Sequence, residues 1–476
     1  MDFNAEQQDI LTNNTLFRGT ACLVCRRRKI KCDGRRPFCE QCRKVRLEDE
    51  CQYDDGQHKS RHQLLTEQIE ALQNRIQDLE EAHNPEPEDD DEDHNQEDMA
   101  AQFIASLPEF LNHRFQLCPL ISFYPGFKTP SESLRNALCM IGPFFSSSIP
   151  GSSDPGATIR GLTNALATGE NTTDIIISTC ILAVYLFGNG RLVEGKYHAN
   201  AAVTLALSGR LHQTVGQHAD GILKSALFWQ VYYLDKCWGP IIGRVTGFKA
   251  SQDTQTAILT PFPGDERQQR PPGSPIIGFL ETPTLFPSNN IESLVVKAAT
   301  TFEQCINFST ITMESQDAPD WTKYFKLQKV IEHINGSLPP VTAQSDIDLR
   351  IIVVHTLIHS STIHLYLPFV SKDVNLQLLS LDAARAMLTV IQATRPSRYQ
   401  YLDPILAFYW KSAADVFIRE KISVELGHIP AEESVVRGLQ NELHVIITAL
   451  RKLARMFSIA ENLVRQVEED LGVSPP

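Results

Sequence analysis

Six cysteines, Cys22, Cys25, Cys32, Cys39, Cys42 and Cys51, follow one another as C-x2-C-x6-C-x6-C-x2-C-x8-C. No other feature constrains the N-terminal fold as tightly. Two C-x2-C pairs, each followed by a third cysteine, form two similar half-sites. Structural zinc takes four tetrahedral ligands, so six thiolates serve two ions only if two of them bridge. By the pseudo-symmetry of the halves the bridges are Cys22 and Cys39. Cys25 and Cys32 then complete one zinc, and Cys42 and Cys51 the other. No histidine lies in this window, which excludes mixed-ligand fingers. Three disulfides or an iron–sulfur centre remain as alternatives for the same spacing. The other five cysteines (Cys118, Cys139, Cys180, Cys237, Cys305) are scattered in apolar company and read as small core residues.

Charge reinforces the metal reading. The chain has 476 residues and a net charge of −13. Residues 20–46 nevertheless hold ten basic side chains against Asp33 and Glu40, so this window is +8 and the rest of the chain −21. Six thiolates with two divalent zincs carry −2, which the surrounding arginines and lysines offset while favouring the deprotonated thiols. A basic island on an acidic chain marks a dedicated polyanion site. The N-terminus is polar and acidic, without the layout of a signal peptide. The longest apolar stretch, 175–187, falls short of the roughly 20 residues that span a bilayer. The expectation is a soluble intracellular chain with no membrane partner.

The segment ACLVCRRRKIKCDGRRPFCEQCRKVRLEDECQY resembles the fungal-type binuclear zinc cluster DNA-binding domain. The shared features are the C-x2-C spacings, the basic run between the second and third cysteines, and the proline before the fourth. The resemblance implies two halves, each a short helix plus an extended strand, with the first helix in the DNA major groove. It places Arg28 and Lys29 at the groove-facing end of that helix as base contacts, Lys29 on a CGG triplet, and Pro37 in the loop joining the halves. A helix starting after the C-x2-C turn would also aim its first amides at phosphate. Lys and Arg donors suit guanine O6 and N7. Arg26, Arg27, Lys31, Arg36, Arg43 and Lys44 are expected on phosphates, where they set register without reading sequence.

After a linker at 55–61, residues 62–83 carry a heptad pattern with Ile69 and Ile76 at a and Leu65, Leu72 and Leu79 at d. Ile at a with Leu at d favours a parallel two-stranded coiled coil, so a homodimer is expected. Residues 84–98 bear nine acidic residues and no basic one and read as an acidic, disordered hinge, with an acidic activation segment as the alternative. Residues 1–19 read as a disordered N-terminus and 20–54 as the zinc module.

From 99 to 476 the chain reads as helices between Pro/Gly/Asn breaks, an all-helical regulatory domain. Ser131 and Asp174 are candidate N-caps. Helices are expected at 192–207, 223–234, 291–308, 349–367, 379–392, 402–426 and 435–471, the last with a break near Phe457. Seven prolines in 260–290 mark a loop and a lobe boundary. The stretches LFGNGRLVEGKYHANAAVTLALSGRLH and FWQVYYLDKCWGPIIGR resemble the middle homology region found downstream of such clusters. Val245 and Ser208-Gly209-Arg210 depart from its pattern. No catalytic constellation emerges. Gly188, Gly190 and Gly195 follow no strand, and Thr356 between His355 and His359 stands where a zincin needs glutamate. With His364 they read as ordinary helix histidines.

The fold class expected is thus all-α: a six-cysteine binuclear zinc module, a short coiled coil and a large helical domain. The expected function is a nuclear, non-enzymatic, zinc-dependent DNA-binding transcription factor of the RNA polymerase II type. Its cofactor would be two zinc ions and its partners double-stranded DNA and a second copy. Co-regulators or a small-molecule effector would act through the helical domain. The competing reading is a helical interaction or sensor protein whose zinc module scaffolds a protein partner; a basic helix between the ligands favours the groove reader.

Overall fold

A computed structural model describes residues 20–53, 70, 74–75, 89–121, 124–214, 218–243, 246–249, 255–265, 273–288, 290–341, 348–427 and 433–472. Two compact units divide the chain, 1–94 and 95–476. No strand occurs among the described residues. The all-helical expectation holds.

The first unit holds two five-residue helices, α1 (Leu23–Arg27) and α2 (Glu40–Lys44). The linker and the seam residues Leu65, Ile69, Leu72, Ile76 and Leu79 lie outside the described residues, as do residues 1–19. Helix α3 (Asp89–Leu117) begins inside the acidic stretch read as a hinge.

Then follow α4 (Glu132–Phe145), α5 (Gly156–Thr168), α6 (Thr172–Gly188), α7 (Leu192–Ser208) and α8 (Ala219–Ile242). Next come α9 (Pro275–Glu281), α10 (Ile291–Glu314), α11 (Trp321–Ser337), α12 (Leu349–Tyr366) and α13 (Val374–Ala393). The last three are α14 (Leu406–Glu425), α15 (Glu433–Ala454) and α16 (Ser458–Asp470). The break at Phe457 is where the sequence puts it.

Helix α6 is apolar all round, and every residue from Asp174 to Gly188 is buried, as a helix at the centre of a large domain requires. Its cap is Asn171, whose side chain accepts the Thr173 N–H at 3.0 Å. Asp174 sits one turn in, where its carboxylate takes the Ser131 N–H at 2.9 Å and the Tyr124 hydroxyl. Ser131 does hold the N-cap position of α4, but its hydroxyl pairs with Ser133 at 3.1 Å instead of capping. The expected Asp174 cap is thereby replaced by the residue three places earlier.

Aromatic stacking joins the central helices. Phe187 of α6 lies on Trp238 of α8 with ring centroids 4.3 Å apart, and Trp238 meets Phe408 of α14 edge-on. Such pairs add about 0.5–1.5 kcal/mol each beyond their burial. One continuous apolar core runs from Phe110 to Val467. From the proline-rich segment 260–290, Phe262, Ile276 and Phe279 are buried in that core. The segment is not wholly loop. Pro275 opens α9 at the first helical turn, where its missing N–H costs no hydrogen bond.

The stretch resembling the middle homology region pins this segment to α8. Trp229 Nε1 donates to Pro261 O at 2.6 Å, and Asp235 accepts the Gly247 and Phe248 N–H groups at 2.8 and 3.1 Å. Lys236 Nζ bridges Thr246 Oγ1 and Glu303 Oε1, both at 3.1 Å. At the end of α7 it is Arg210, not Gly209, that adopts the left-handed φ of 52°, a conformation that glycine enters without steric cost. Buried His212 follows, its carbonyl accepting the Leu259 and Thr260 N–H groups. Val245 lies outside the described residues. By length and apolar composition α13 passes for a membrane span, but its Leu381, Ala384, Met387 and Ile391 are buried in the helical core.

Candidate metal centre and nucleic-acid interface

Each half of the N-terminal module is built the same way. Cys22 is the N-cap of α1, and its Sγ accepts the Cys25 N–H at 3.4 Å; Cys39 is the N-cap of α2, and its Sγ accepts the Cys42 N–H at 3.3 Å. A thiolate at an N-cap meets the positive end of the helix, which favours its charge. Each helix then ends on a left-handed residue. Lys29 and Arg46 both have φ 54°, and the next amides, of Ile30 and Leu47, return to Cys25 O and Cys42 O at 3.1 and 2.9 Å. These reversed ends direct the chain back to the third cysteine of each half.

All six thiols are 6% exposed or less. The Sγ–Sγ distances are 3.7 Å for Cys22–Cys39, 3.7 Å for Cys22–Cys42 and 3.6 Å for Cys25–Cys39. A tetrahedral ZnS4 unit with bonds of about 2.3 Å has edges of about 3.8 Å, so these spacings fit metal-bridging sulfur. They are far from the roughly 2.05 Å of a disulfide, and all eleven cysteines are free. Cys22, Cys25, Cys39 and Cys42 gather within 4.8 Å of one another. Cys51 faces Cys42, Cys22 and Cys39, and also accepts the Cys39 N–H at 3.2 Å. Burial, then crowding by neighbouring sulfurs, pushes the Cys25 and Cys42 thiols up. Bound divalent metal supplies the positive charge that lets such a cluster stand as thiolates.

Two side chains that sequence reasoning passed over complete the module. Tyr53 packs on the sulfur cluster and donates its hydroxyl to Arg35 O at 2.7 Å, tying the chain after Cys51 to the inter-half loop. An aromatic two places beyond the last ligand was the available signal. Asp33 Oδ1 accepts the Glu40 N–H of α2 at 3.0 Å, and its other oxygen faces Arg35 at 3.7 Å.

The basic residues expected on DNA, Arg26, Arg27, Arg28, Lys29, Lys31, Arg36, Arg43 and Lys44, are all exposed. Arg36 lies over the Tyr53 ring at 5.1 Å and precedes Pro37 between the halves. One local expectation changes. Helix α1 starts within the C-x2-C pair, not after it, because Cys22 is itself the cap. Its first amide goes to Gln52 O at 2.8 Å and the Cys25 amide to sulfur, so these two amides are already satisfied within the module. The basic side chains lie in and just past its C-terminal turn, with Arg28 as C-cap and Lys29 at the reversal.

In the helical domain His355 Nε2 is taken by Pro339 O at 2.8 Å. Burial holds His359 and His364 down to about 4, so both rings are neutral. Among the described residues, the groupings of three or more potential ligands are Cys22, Cys25, Cys39 and Cys42, and Cys32, Asp33 and Cys39. Both lie in the N-terminal module.

Fold and site together define a binuclear, all-thiolate zinc module carried on the same chain as a large helical domain. Residues 20–60 match the fungal Zn(2)-Cys(6) binuclear cluster domain, and residues 109–350 match the fungal specific transcription factor domain. The chain belongs to the fungal transcription factors that combine these two domains, and its cofactor is a pair of zinc ions held by the six cysteines. It is also similar to the Notoamide biosynthesis cluster transcriptional coactivator notQ' of Aspergillus versicolor, with 43% identity over 63 residues. That match covers 13% of this chain and 12% of the relative's length. No solved structure matches the chain significantly.

Proposed function

We propose that this chain is a nuclear, sequence-specific DNA-binding regulator of RNA polymerase II transcription that acts by binding and not by catalysis. The observation that carries this reading is an exposed basic ridge, Arg26 to Arg28, Lys29 and Lys31, standing on a buried sulfur cluster. Arg28 and Lys29 read a CGG-like triplet. Arg26, Arg27, Lys31, Arg36, Arg43 and Lys44 hold phosphates. Cys22 and Cys39 bridge the two zincs, with Cys25 and Cys32 on one ion and Cys42 and Cys51 on the other. Two copies pair through Leu65, Ile69, Leu72, Ile76 and Leu79, because one module contacts too few base pairs for operator-grade affinity.

Titration of Lys29→Ala and Lys44→Ala on specific and scrambled duplexes tests it. Lys29→Ala should cost about 1–3 kcal/mol on the best site and flatten base preference there, whereas Lys44→Ala should weaken all duplexes alike. Equal losses on every duplex for Lys29→Ala would remove it from readout.

A further inference from the structure

The helical domain carries an open cleft of about 680 Å³, within the roughly 300–1,000 Å³ typical of sites for drug-sized molecules. Its apolar walls include Leu120 and Pro125 on one side, Ile222 and Leu223 of the first turns of α8 on another, and Pro263. Three features set its chemistry. Among the described residues no lysine or arginine lines it. Two carboxylates do, exposed Asp220 and half-buried Glu292. Each already has a cation, Lys224 at 2.7 Å and Arg350 at 2.7 Å, but Arg350 is shared with Asp348 at 2.6 Å. These described groups together carry one net negative charge. The third feature is Ser225, a lining residue only 3% exposed that brings a hydroxyl to an otherwise apolar stretch of wall. A hydroxyl in the wall of a cleft is a group that a ligand there can hydrogen-bond.

We propose that this cleft binds a largely apolar organic molecule that is neutral or amine-bearing, with one polar group meeting Ser225, and that it rejects carboxylates and phosphates. Burial against Ile222, Leu223 and Pro263 provides affinity. The acidic rim provides selection, since an anion brought beside Asp220 and Glu292 meets like charge. Calling the occupant an effector rests on the regulatory reading above; the binding itself does not. Occupancy would bridge Leu120 and Pro125 to α8 and the start of α10, which is how a ligand here would stiffen the domain.

The test uses two dyes sharing one fluorophore, dansylcadaverine with a free amine and dansylglycine with a carboxylate, titrated into the full-length zinc-loaded chain without DNA. Saturable, one-to-one dansylcadaverine binding is expected, with dansylglycine at least about tenfold weaker. Ala226→Phe, which fills the cleft, and Ile222→Trp, at a side chain 46% exposed and so tolerant of exchange, should each remove the saturable phase. Circular dichroism checks that both remain folded. Ser225→Ala should weaken binding severalfold. Equal affinity for the two dyes would overturn the proposal. So would the absence of a saturable phase, or its survival in both cleft-filling variants. Because no DNA is present, a failure here leaves the DNA-binding reading standing.

Discussion

Asp403→Asn probes a buried charge on which the helical domain's stability depends. Asp403 is 4% exposed, just ahead of α14. Its Oδ2 accepts the Tyr233 hydroxyl at 2.8 Å and its Oδ1 the Ile405 N–H at 3.0 Å. The other titratable groups facing it are Cys237 and Tyr409, neither a cation. Burial therefore dominates the two hydrogen bonds and pushes the carboxyl from 3.8 up to about 7. This is the reverse of the usual surface carboxylate. A raised folded-state value means that folding takes up a proton, so the contribution is fully present below the unfolded value and lost as pH rises through 7. About three units correspond to about 4 kcal/mol at the acid limit, and to about 2 kcal/mol of the change between pH 8 and 5.5. Asparagine keeps the shape and an acceptor for Ile405 but cannot titrate. Urea unfolding of the full chain, followed by the fluorescence of buried Trp229, Trp238 and Trp410, measures both proteins at the two pH values. The difference between wild type and variant should move by about 2 kcal/mol in favour of wild type on acidification. A pH-independent difference, or one that moves the other way, would refute the reasoning.

Three further outcomes are expected. Native mass spectrometry should find two zincs on the wild-type chain, with Cys22→Ala or Cys39→Ala losing both and Cys25→Ala mainly disturbing one; retention of one zinc by Cys22→Ala would remove it from the bridge. Asn171→Ala should cost about 1 kcal/mol of helical-domain stability in denaturant titrations, while Ser131→Ala should cost less, because only Asn171 satisfies a helix amide. Replacing Ile69 and Leu72 with Asn should give monomers by analytical ultracentrifugation at micromolar concentration and reduce binding to paired half-sites while sparing single ones. A variant that stays dimeric would move the interface elsewhere.

What could be read from the sequence was whatever short-range chemistry dictates. Cysteine spacing carries the metal centre because tetrahedral zinc counts ligands, and the duplicated Cys22/Cys39 caps follow from the same repeat. Helices with long apolar periods, such as α10 and α12, are evident from pattern alone. By contrast, α5 with its two glycines and α11 with its exposed Trp321 and Phe325 are not among the expected helices, although α11 buries Tyr324, Leu327, Ile331 and Ile334 at helical spacing. At α6 four N-cap-type residues, Asn171 to Asp174, stand together, and hydrogen bonding across to Tyr124 and Ser131 decides that Asp174 turns inward. Short α9 hides among prolines. Contacts such as Tyr233 with Asp403, 170 residues apart, and the cleft beside Ser225 arise only from tertiary packing. No local pattern encodes them.

Selection from a random-sequence duplex library with the purified, zinc-loaded full-length chain tests the central claim most directly. The account predicts enrichment of paired CGG-like triplets at a fixed spacing, abolished by a strong chelator and restored by zinc. A chain that holds two zinc ions yet enriches no sequence over the starting library would contradict it.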